Sequence, residues 1–266
     1  MMTAEDALIW GGERLRLYHF RNGGSRLIVS FDFRQTDRKG FNPPDPSKTF
    51  AEAGFDQLSL RVARNDWFIN QETETAEALM AGIAANYDAV QMIGYSMGGY
   101  GAFRFAKAVG ARAVLAISPQ FSIHPKIVPF EKRYHEDASD FDPDLGDLTS
   151  RAVPDLAGVM LVDTLRPRDL RHARMLQAVF PNVQIARLMG GGHPATEVMA
   201  KAGVASIITR EAVNTPPSLA ALTGMHRSVR RGSPLYLGRL AKAASTGHLT
   251  WATDLERMAR AAKAVN

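Results

Sequence analysis

The residues with the clearest chemical meaning form the pentapeptide GYSMG at positions 94–98, which matches G-x-S-x-G and has Ser96 at its centre. A serine hydroxyl becomes an effective nucleophile only when a neighbouring base removes its proton. The reaction also needs hydrogen-bond donors for the negative charge that forms on the attacked carbonyl. The pattern suits both needs, because small flanking residues let a strand and a helix approach closely while the hydroxyl stays accessible. The sequence therefore indicates nucleophilic catalysis by Ser96.

The segments on either side of Ser96 agree with this interpretation. AVQMIGY, which ends at position 95, is a strand candidate, and GGYGAFRFAKAV, which begins at position 98, is a helix candidate. Such a helix would place backbone N–H groups and its positive end beside a developing oxyanion. The competing interpretation is a phosphate-binding turn, which would carry a lysine or the spacing G-x-G-x-x-G. Residues 94–101 contain no lysine, and their glycines, at 94, 98, 99 and 101, do not have this spacing.

The stretch GYSMGGYGAFRFA resembles the nucleophile turn of the α/β-hydrolases, and the order of candidate elements from about residue 14 to 210 is similar to that fold. In this family the nucleophile, the acid and the base follow one another along the chain as Ser, acid and His. The resemblance implies that His193 is the base, because it follows the last strand candidate in the loop GGGHP. A surface histidine beside a turn is the competing interpretation. His172 is a weaker candidate, because it falls within a helix candidate.

Two aspartates compete for the acid position. Asp163 ends the strand candidate GVMLVD, and Asp169 opens the helix candidate that follows. In the family that the chain resembles, the acid usually lies a few residues past this strand, which favours Asp169. Both residues also have a structural alternative, since aspartate often caps helices and forms turns. We therefore predict Asp169 as the acid and keep Asp163 as the second candidate.

The resemblance further implies two backbone donors for an oxyanion. One is the N–H group of Met97, the residue after the nucleophile. The other is expected in the loop after the strand candidate RLIVSF, at Phe31, Asp32 or Phe33. Members of the family often have His-Gly or a similar small pair there, whereas this chain has Phe-Asp-Phe-Arg. The second donor therefore stays open, and the Asp32 carboxylate would have to point away or pair with Arg34.

Strand and helix candidates alternate along most of the chain. Apolar and β-branched runs predict strands, and apolar residues at helical spacing predict helices. The strand candidates are 14–20, 26–31, 57–62, 89–95, 112–118, 158–163 and 183–188, and the helix candidates between and after them are 73–86, 98–109, 169–180 and 196–210. This alternation predicts an α/β fold, a three-layer α/β/α sandwich around a mainly parallel sheet.

Residues 119–157 interrupt the alternation. They have little clear periodicity and lie where α/β-hydrolases often insert a lid, so we predict a short lid insertion. The segment is rich in aspartate, and aspartates at alternate positions can bind calcium. The pattern D-x-[DN]-x-[DN]-G is absent, however, which favours a solvated acidic loop. No metal and no organic cofactor is predicted.

A second departure begins at about residue 214, where the strand candidates stop. Helix candidates at 218–222, 233–244 and 252–262 predict a helical C-terminal extension. We therefore divide the chain into an α/β-hydrolase domain over 1–213 and an extension over 214–266. The net charge is +5, and much of the basic surplus lies in the extension, at Arg227, Arg230, Arg231, Arg239, Lys242, Arg257, Arg260 and Lys263. A solvated helical surface is favoured over an anionic partner or nucleic acid.

The composition excludes several classes of protein. The chain has no cysteine, which excludes disulfides, cysteine-ligated metals and a cysteine nucleophile. The chain has no run of about 18 apolar residues, so no membrane span is predicted. The first ten residues, MMTAEDALIW, lack the basic and apolar segments of a secretory signal. The expected location is the cytoplasm.

These observations predict a serine hydrolase that cleaves a small or medium carboxylic ester through an acyl-enzyme. An acyltransferase with the same three residues is one alternative, because the two activities differ only in the acceptor. A non-catalytic binding module on a hydrolase fold is the other. The expected partner is a small-molecule acyl ester, and the oligomeric state is open.

Overall fold

Eight strands form one sheet in the computed structural model, which describes residues 3–265. The strands are β1 (Leu8–Gly11), β2 (Leu15–Phe20), β3 (Arg26–Phe31), β4 (Phe55–Val62), β5 (Ala89–Tyr95), β6 (Ala113–Ile117), β7 (Ala157–Val162) and β8 (Val183–Arg187). Their order across the sheet is β1-β2-β4-β3-β5-β6-β7-β8. β2 pairs antiparallel with both β1 and β4, and every other neighbouring pair is parallel. The carboxyl ends of β3 to β8 therefore meet at one edge.

The helices cover both faces of this sheet. They are α1 (Ala4–Ala7), α2 (Lys48–Glu52), α3 (Thr73–Ala84), α4 (Met97–Arg104), α5 (Pro167–Val179), α6 (Glu197–Lys201), α7 (Ser206–Ala212), α8 (Leu219–Arg230), α9 (Pro234–Ala244) and α10 (Leu249–Val265). Successive strand residues point to opposite faces. Leu27 and Val29 accordingly pack with α3, α4 and α5, while Ile28 packs with α2, α6 and α7. The predicted α/β class, with its mainly parallel sheet, is confirmed.

The turn from β5 into α4 consists of a single residue, Ser96. Ser96 lies between the two elements with φ of 50° and ψ of −116°, a conformation that costs energy for a residue with a side chain. An added Cβ at Gly94 would overlap the carbonyl oxygen of Gly98. One at Gly98 would lie 2.7 Å from the carbonyl oxygen of Asp32. Glycine at these two positions therefore allows α4 to begin directly behind Ser96.

Several elements differ from the predictions. The helix expected over 196–210 is two helices, α6 and α7, because Gly203 between them adopts a left-handed conformation with φ of +72°. The short helix expected over 218–222 continues as α8. The strand β1 was missed because it is an edge strand that depends on its pairing with β2. The helix α2 lies outside all of the helix candidates.

Residues 118–156 connect β6 to β7 without a helix or a strand, so the segment expected over 119–157 ends at the first residue of β7. Several of their side chains are nevertheless buried, among them Phe121, Tyr134 and Phe141. The ring of Tyr134 packs against Trp67, with ring centroids 4.9 Å apart. The segment is therefore anchored to the core across the edge of the sheet where the strands end.

The C-terminal helices pack on the sheet domain and on one another. His226 of α8 meets the ring of Tyr236 of α9, with centroids 6.2 Å apart, and Tyr236 and Leu237 form an apolar cluster with Val198 of α6. α10 packs along α9 and leaves Trp251 exposed. The division into two domains stays a prediction. None of the helices within residues 3–265 has the length and apolar character needed to cross a membrane.

His226 should make the stability of the folded chain depend on pH. It is buried, and its Nε2 atom has no hydrogen-bond partner among the described residues. Burial and the neighbouring charge of Arg230 lower the pKa of His226 from 6.5 to about 4. The unfolded chain therefore takes up a proton there first, and stability is lost as the pH falls from about 6.5 towards 4.

Replacing His226→Phe keeps an aromatic ring and removes this proton site. Between pH 7 and pH 4, the variant should lose less unfolding free energy than the wild type, by on the order of 1 to 3 kcal/mol. Urea unfolding at each pH measures the effect, and the exposed His135→Gln variant is the control. Equal losses in wild type and His226→Phe would contradict the assignment.

Candidate active site

Three side chains predicted from the sequence meet at the carboxyl edge of the sheet. The Oγ atom of Ser96 lies 3.0 Å from Nε2 of His193. The Nδ1 atom of the same ring lies 2.9 Å from Oδ2 of Asp169. Ser96 follows β5, Asp169 is in the first turn of α5 after β7, and His193 is in the loop after β8. Their convergence follows from the parallel sheet, which brings the ends of these strands to one edge.

Ser96 opens onto a cavity of about 500 Å³. The lining is mostly aromatic and apolar, with one charged guanidinium. It consists of Phe33, Arg34, Tyr95, Ser96, Tyr134, His193 and Pro194. Concave, largely apolar sites of this size with a few polar groups are typical of small-molecule binding.

Asp163 and Asp169 are both buried, but they contact different parts of the site. The carboxylate of Asp163 accepts hydrogen bonds from the backbone N–H groups of Gly190 at 2.7 Å and Gly192 at 2.9 Å. These are residues of the loop that carries His193. Asp163 therefore anchors the backbone of this loop, whereas Asp169 contacts the imidazole ring itself.

Two arginines also bind Asp169. Nη2 of Arg133 lies 2.6 Å from its Oδ1, and Nε of Arg166 lies 3.2 Å from its Oδ2. Burial alone would raise the pKa of Asp169, but the hydrogen bond and charge of His193, together with the charge of Arg133, outweigh it. The pKa of this carboxyl is held below its ordinary value, so Asp169 is ionised at neutral pH.

Arg133 connects Asp169 to a second buried acid, Glu131. Nε of Arg133 lies 2.9 Å from Oε1 of Glu131, and Nε2 of His172 lies 3.2 Å from Oε2. Nδ1 of His172 accepts the N–H group of Phe121 at 3.1 Å, so the ring proton is on Nε2 and points at Glu131. Burial would raise the pKa of Glu131, but the hydrogen bonds from His172 and Arg133 lower it. No sequence pattern predicted this network, because Glu131 and Arg133 lie in a segment without periodicity.

The backbone N–H groups predicted as oxyanion donors differ in their hydrogen bonding. Met97 is the first residue of α4, so its N–H group has no helical carbonyl to bond. The N–H group of Asp32 donates to the carbonyl of Leu60 at 3.1 Å, within the sheet. The N–H group of Phe33 donates to Oδ1 of Asp32 at 2.9 Å. Phe31 is the last residue of β3.

Of the two arrangements left open for the Asp32 carboxylate, pointing away or pairing with Arg34, the pairing does not occur. The Asp32 carboxylate turns into a buried cluster, where Nη1 of Arg38 lies at 2.9 Å and Nη1 of Arg61 at 3.4 Å. Arg34 instead contacts Asp137 at 2.6 Å. Asp32 pairs with Arg38 because the side chain of Arg38 is itself buried and is also held by its hydrogen bond to the carbonyl of Val62, at 2.9 Å. The negative charge is thus turned away from Ser96 and compensated.

Two polar side chains that the sequence did not assign to catalysis lie beside the nucleophile. Nε2 of Gln120 lies 3.4 Å from Oγ of Ser96 and donates to the carbonyl of Ser118 at 2.9 Å. The indole N–H group of Trp67 donates to Oε1 of Gln120 at 3.2 Å. An indole can only donate, so this contact fixes the amide with its N–H groups towards Ser96. The hydroxyl of Tyr134 lies 3.5 Å from Nε2 of His193.

Within residues 3–265, no group of three or more histidine and acidic side chains is arranged to hold a metal ion.

Gln120 and Tyr134 follow β6 in the irregular segment, where no local pattern distinguishes a catalytic amide or hydroxyl from a structural one.

The overall fold resembles that of solved enzymes with very different sequences. The capsule O-acetyltransferase of Neisseria meningitidis serogroup A is 14% identical, with a TM-score of 0.53 over 75% of this chain and 93% of that chain. A putative thioesterase from Silicibacter sp. is 14% identical, with a TM-score of 0.51 over 81% of this chain and 82% of that chain. No protein-family model and no curated protein matches the sequence. At this level of identity the likeness shows the fold, which is that of the α/β-hydrolases.

The two aspartates should respond differently to the loss of charge. Asp169→Asn removes the carboxylate that holds the Nδ1 proton of His193, and we expect Ser96 to react with a fluorophosphonate on the order of 10³-fold more slowly. Asp163 accepts from three backbone N–H groups, those of Leu165, Gly190 and Gly192, and Asp163→Asn would present an NH₂ group to at least one of them, so it should cost about 1 to 3 kcal/mol of stability. Labelling rates and thermal unfolding of both variants measure the difference. A larger fall in labelling rate for a folded Asp163→Asn variant would reverse the assignment.

Proposed function

We propose that this chain is a serine hydrolase that cleaves a small or medium carboxylic ester. The observation that carries the proposal is the continuous contact from Ser96 Oγ to His193 Nε2, at 3.0 Å, and from His193 Nδ1 to Asp169 Oδ2, at 2.9 Å. These contacts lie at the wall of a cavity of about 500 Å³, which is large enough for such a substrate.

The proposed reaction has two halves. Ser96 Oγ attacks the acyl carbon while His193 Nε2 takes the hydroxyl proton, and Asp169 holds the imidazole through its Nδ1 proton. His193 then gives the proton to the leaving alkoxide as the ester bond breaks, and an acyl-enzyme remains on Ser96. In the second half, His193 takes a proton from water, the water oxygen attacks the acyl carbon, and the carboxylic acid leaves as Oγ is protonated again.

The oxyanion needs donors that point at it before the reaction starts. We propose the N–H group of Met97 as the first, because it has no helical partner. For the second we propose Nε2 of Gln120, which is buried, held in one orientation by Trp67 and 3.4 Å from Ser96 Oγ. The amides of Asp32 and Phe33 are less suitable, because both already donate to protein oxygens. Burial raises the pKa of Tyr134, so its hydroxyl stays protonated and can assist these two donors as a further hydrogen-bond donor.

Acyl transfer to an alcohol is the alternative use of the same three residues. One structurally similar protein is an O-acetyltransferase, and the same enzyme has also been solved in complex with CoA, at 13% identity and a TM-score of 0.54. An acyl-enzyme on Ser96 would be common to both activities, so only the acceptor differs. The partitioning of the acyl group between water and added alcohols separates them. A purely binding role is disfavoured, because it leaves the contacts of His193 with Ser96 and Asp169 without a purpose.

The nucleophile is tested with an active-site probe. A fluorophosphonate should label the wild type, and Ser96→Ala should remove the label and lower p-nitrophenyl acetate turnover by at least about 10³-fold. The exposed Ser139→Ala variant, in the irregular segment, should keep both. Labelling or full turnover by a folded Ser96→Ala variant would reject the proposal.

The side-chain donor is tested by removing its N–H groups while keeping its length. Gln120→Met should lower kcat for p-nitrophenyl acetate on the order of 10²-fold with little change in KM, since the donor acts mainly on the transition state. Gln177→Met, which loses a bond to the carbonyl of Val183 far from the site, is the matched control. Thermal unfolding verifies that both variants fold. An unchanged kcat for Gln120→Met would remove this residue from the mechanism.

A further inference from the structure

The C-terminal extension reaches the loop that carries His193. Nη1 of Arg239, on α9, donates to the carbonyl of Gly190 at 3.1 Å, and the same guanidinium pairs with Glu197 of α6. An added Cβ at Gly190 would lie 2.6 Å from the ring of Tyr236, and one at Gly192 would lie 2.6 Å from Nη1 of Arg239. α9 therefore packs directly against the glycine loop, with no room for a larger residue between them.

The glycines give the backbone of this loop little intrinsic stiffness. Gly190 and Gly192 have φ values of +74° and +103°, which glycine adopts readily and other residues rarely do. Since glycine is conformationally permissive, outside contacts must hold these residues in place. The backbone of Gly190 is held by two contacts. Its N–H group donates to Asp163, and its carbonyl accepts from Arg239. The sheet domain and the extension thus hold the loop together.

The held residues immediately precede His193, whose ring must stay 3.0 Å from Ser96 Oγ to accept its proton. Errors of about 1 Å at a reacting atom can cost on the order of 10²-fold in rate. Arg239 itself does not line the cavity. Its contact with Gly190 therefore bears on the placement of His193 and not on substrate binding.

We propose that the C-terminal extension is a positioning element of the active site, and that Arg239 is the residue through which it sets the place of His193. This inference rests on the proposed function. It assigns residues 214–266 a part in the reaction of the domain on which they pack. α9 in turn is held by the apolar cluster of Tyr236 and Leu237 with Val198, and by α10.

The test replaces the guanidinium and measures the two kinetic constants separately. Arg239→Met keeps the length and helix propensity of the side chain and loses every donor. Its kcat for p-nitrophenyl acetate, and its rate of fluorophosphonate labelling, should fall on the order of 10- to 10²-fold while KM stays near the wild-type value. Arg239→Lys keeps a charged donor for Gly190 and Glu197, and should restore most of the rate.

The matched control is Arg257→Met on α10, whose arginine is exposed and paired only with Asp254 among the described residues. It should retain wild-type kcat, KM and labelling rate. Thermal unfolding confirms that each variant is folded at the assay temperature. If Arg239→Met does not fold, Arg239→Gln, which is too short to reach Gly190, replaces it under the same criteria.

An unchanged kcat in the folded variant, or a rise in KM alone, would overturn the proposal. So would a loss of rate that Arg239→Lys does not restore. The Ser96→Ala variant separates this result from the proposed function. If that variant keeps its activity, the proposed function fails. If it is inactive while Arg239→Met is unchanged, only the positioning role fails.

Discussion

The site depends on the backbone turn that holds Ser96 at positive φ between β5 and α4. This conformation is unfavourable for serine, and it persists because the strand, the helix and the neighbouring β3 loop surround it closely. Gly94 and Gly98 make that approach possible, since a side chain at either position would meet backbone oxygens. The result is a hydroxyl at the edge of the sheet and, beside it, the N–H group of Met97, which has no helical carbonyl to bond. The other groups of the site, His193 and Asp169 among them, are arranged around this hydroxyl and this N–H group.

Around this turn, a chain of buried polar and charged side chains joins the irregular segment to the sheet domain. It runs from His172 through Glu131 and Arg133 to Asp169, and so to His193. Each charge has a partner of opposite sign or a hydrogen-bonding neighbour. Removing one member would leave its partner buried and uncompensated, which is far more costly than the pair is stabilising. The irregular segment between β6 and β7 is therefore coupled to Asp169, although it contains no helix or strand.

The loop after β8 illustrates how two similar residues serve different ends. Asp163 and Asp169 are six positions apart, and both are buried carboxylates, but one binds backbone N–H groups and the other binds the imidazole. The glycines between β8 and His193 allow the bend and provide no rigidity. Asp163 from the sheet and Arg239 from α9 supply the restraint that the loop lacks.

Local features determined the fold class and the first candidates. The alternation of short apolar strands with helical segments was enough for the α/β sandwich, because periodicity reports which faces of each element are buried. The glycines around Ser96 marked the turn, and the resemblance to the α/β-hydrolases directed attention to His193 and to two aspartates. Edge strand β1 and the break at Gly203 were missed, because pairing and helix termination there depend on the surrounding structure.

Tertiary structure alone decided which groups come within hydrogen-bonding distance. Asp169, and not Asp163, contacts the ring; Asp32 pairs with Arg38, and not with Arg34. Gln120 meets Trp67 across 53 positions, and Arg239 meets Gly190 across 49. Contacts of such separation leave no periodic pattern in the sequence, because they are set by where whole strands and helices end in space. The sequence determined the elements and their chemistry, and the packing of those elements determined the partners.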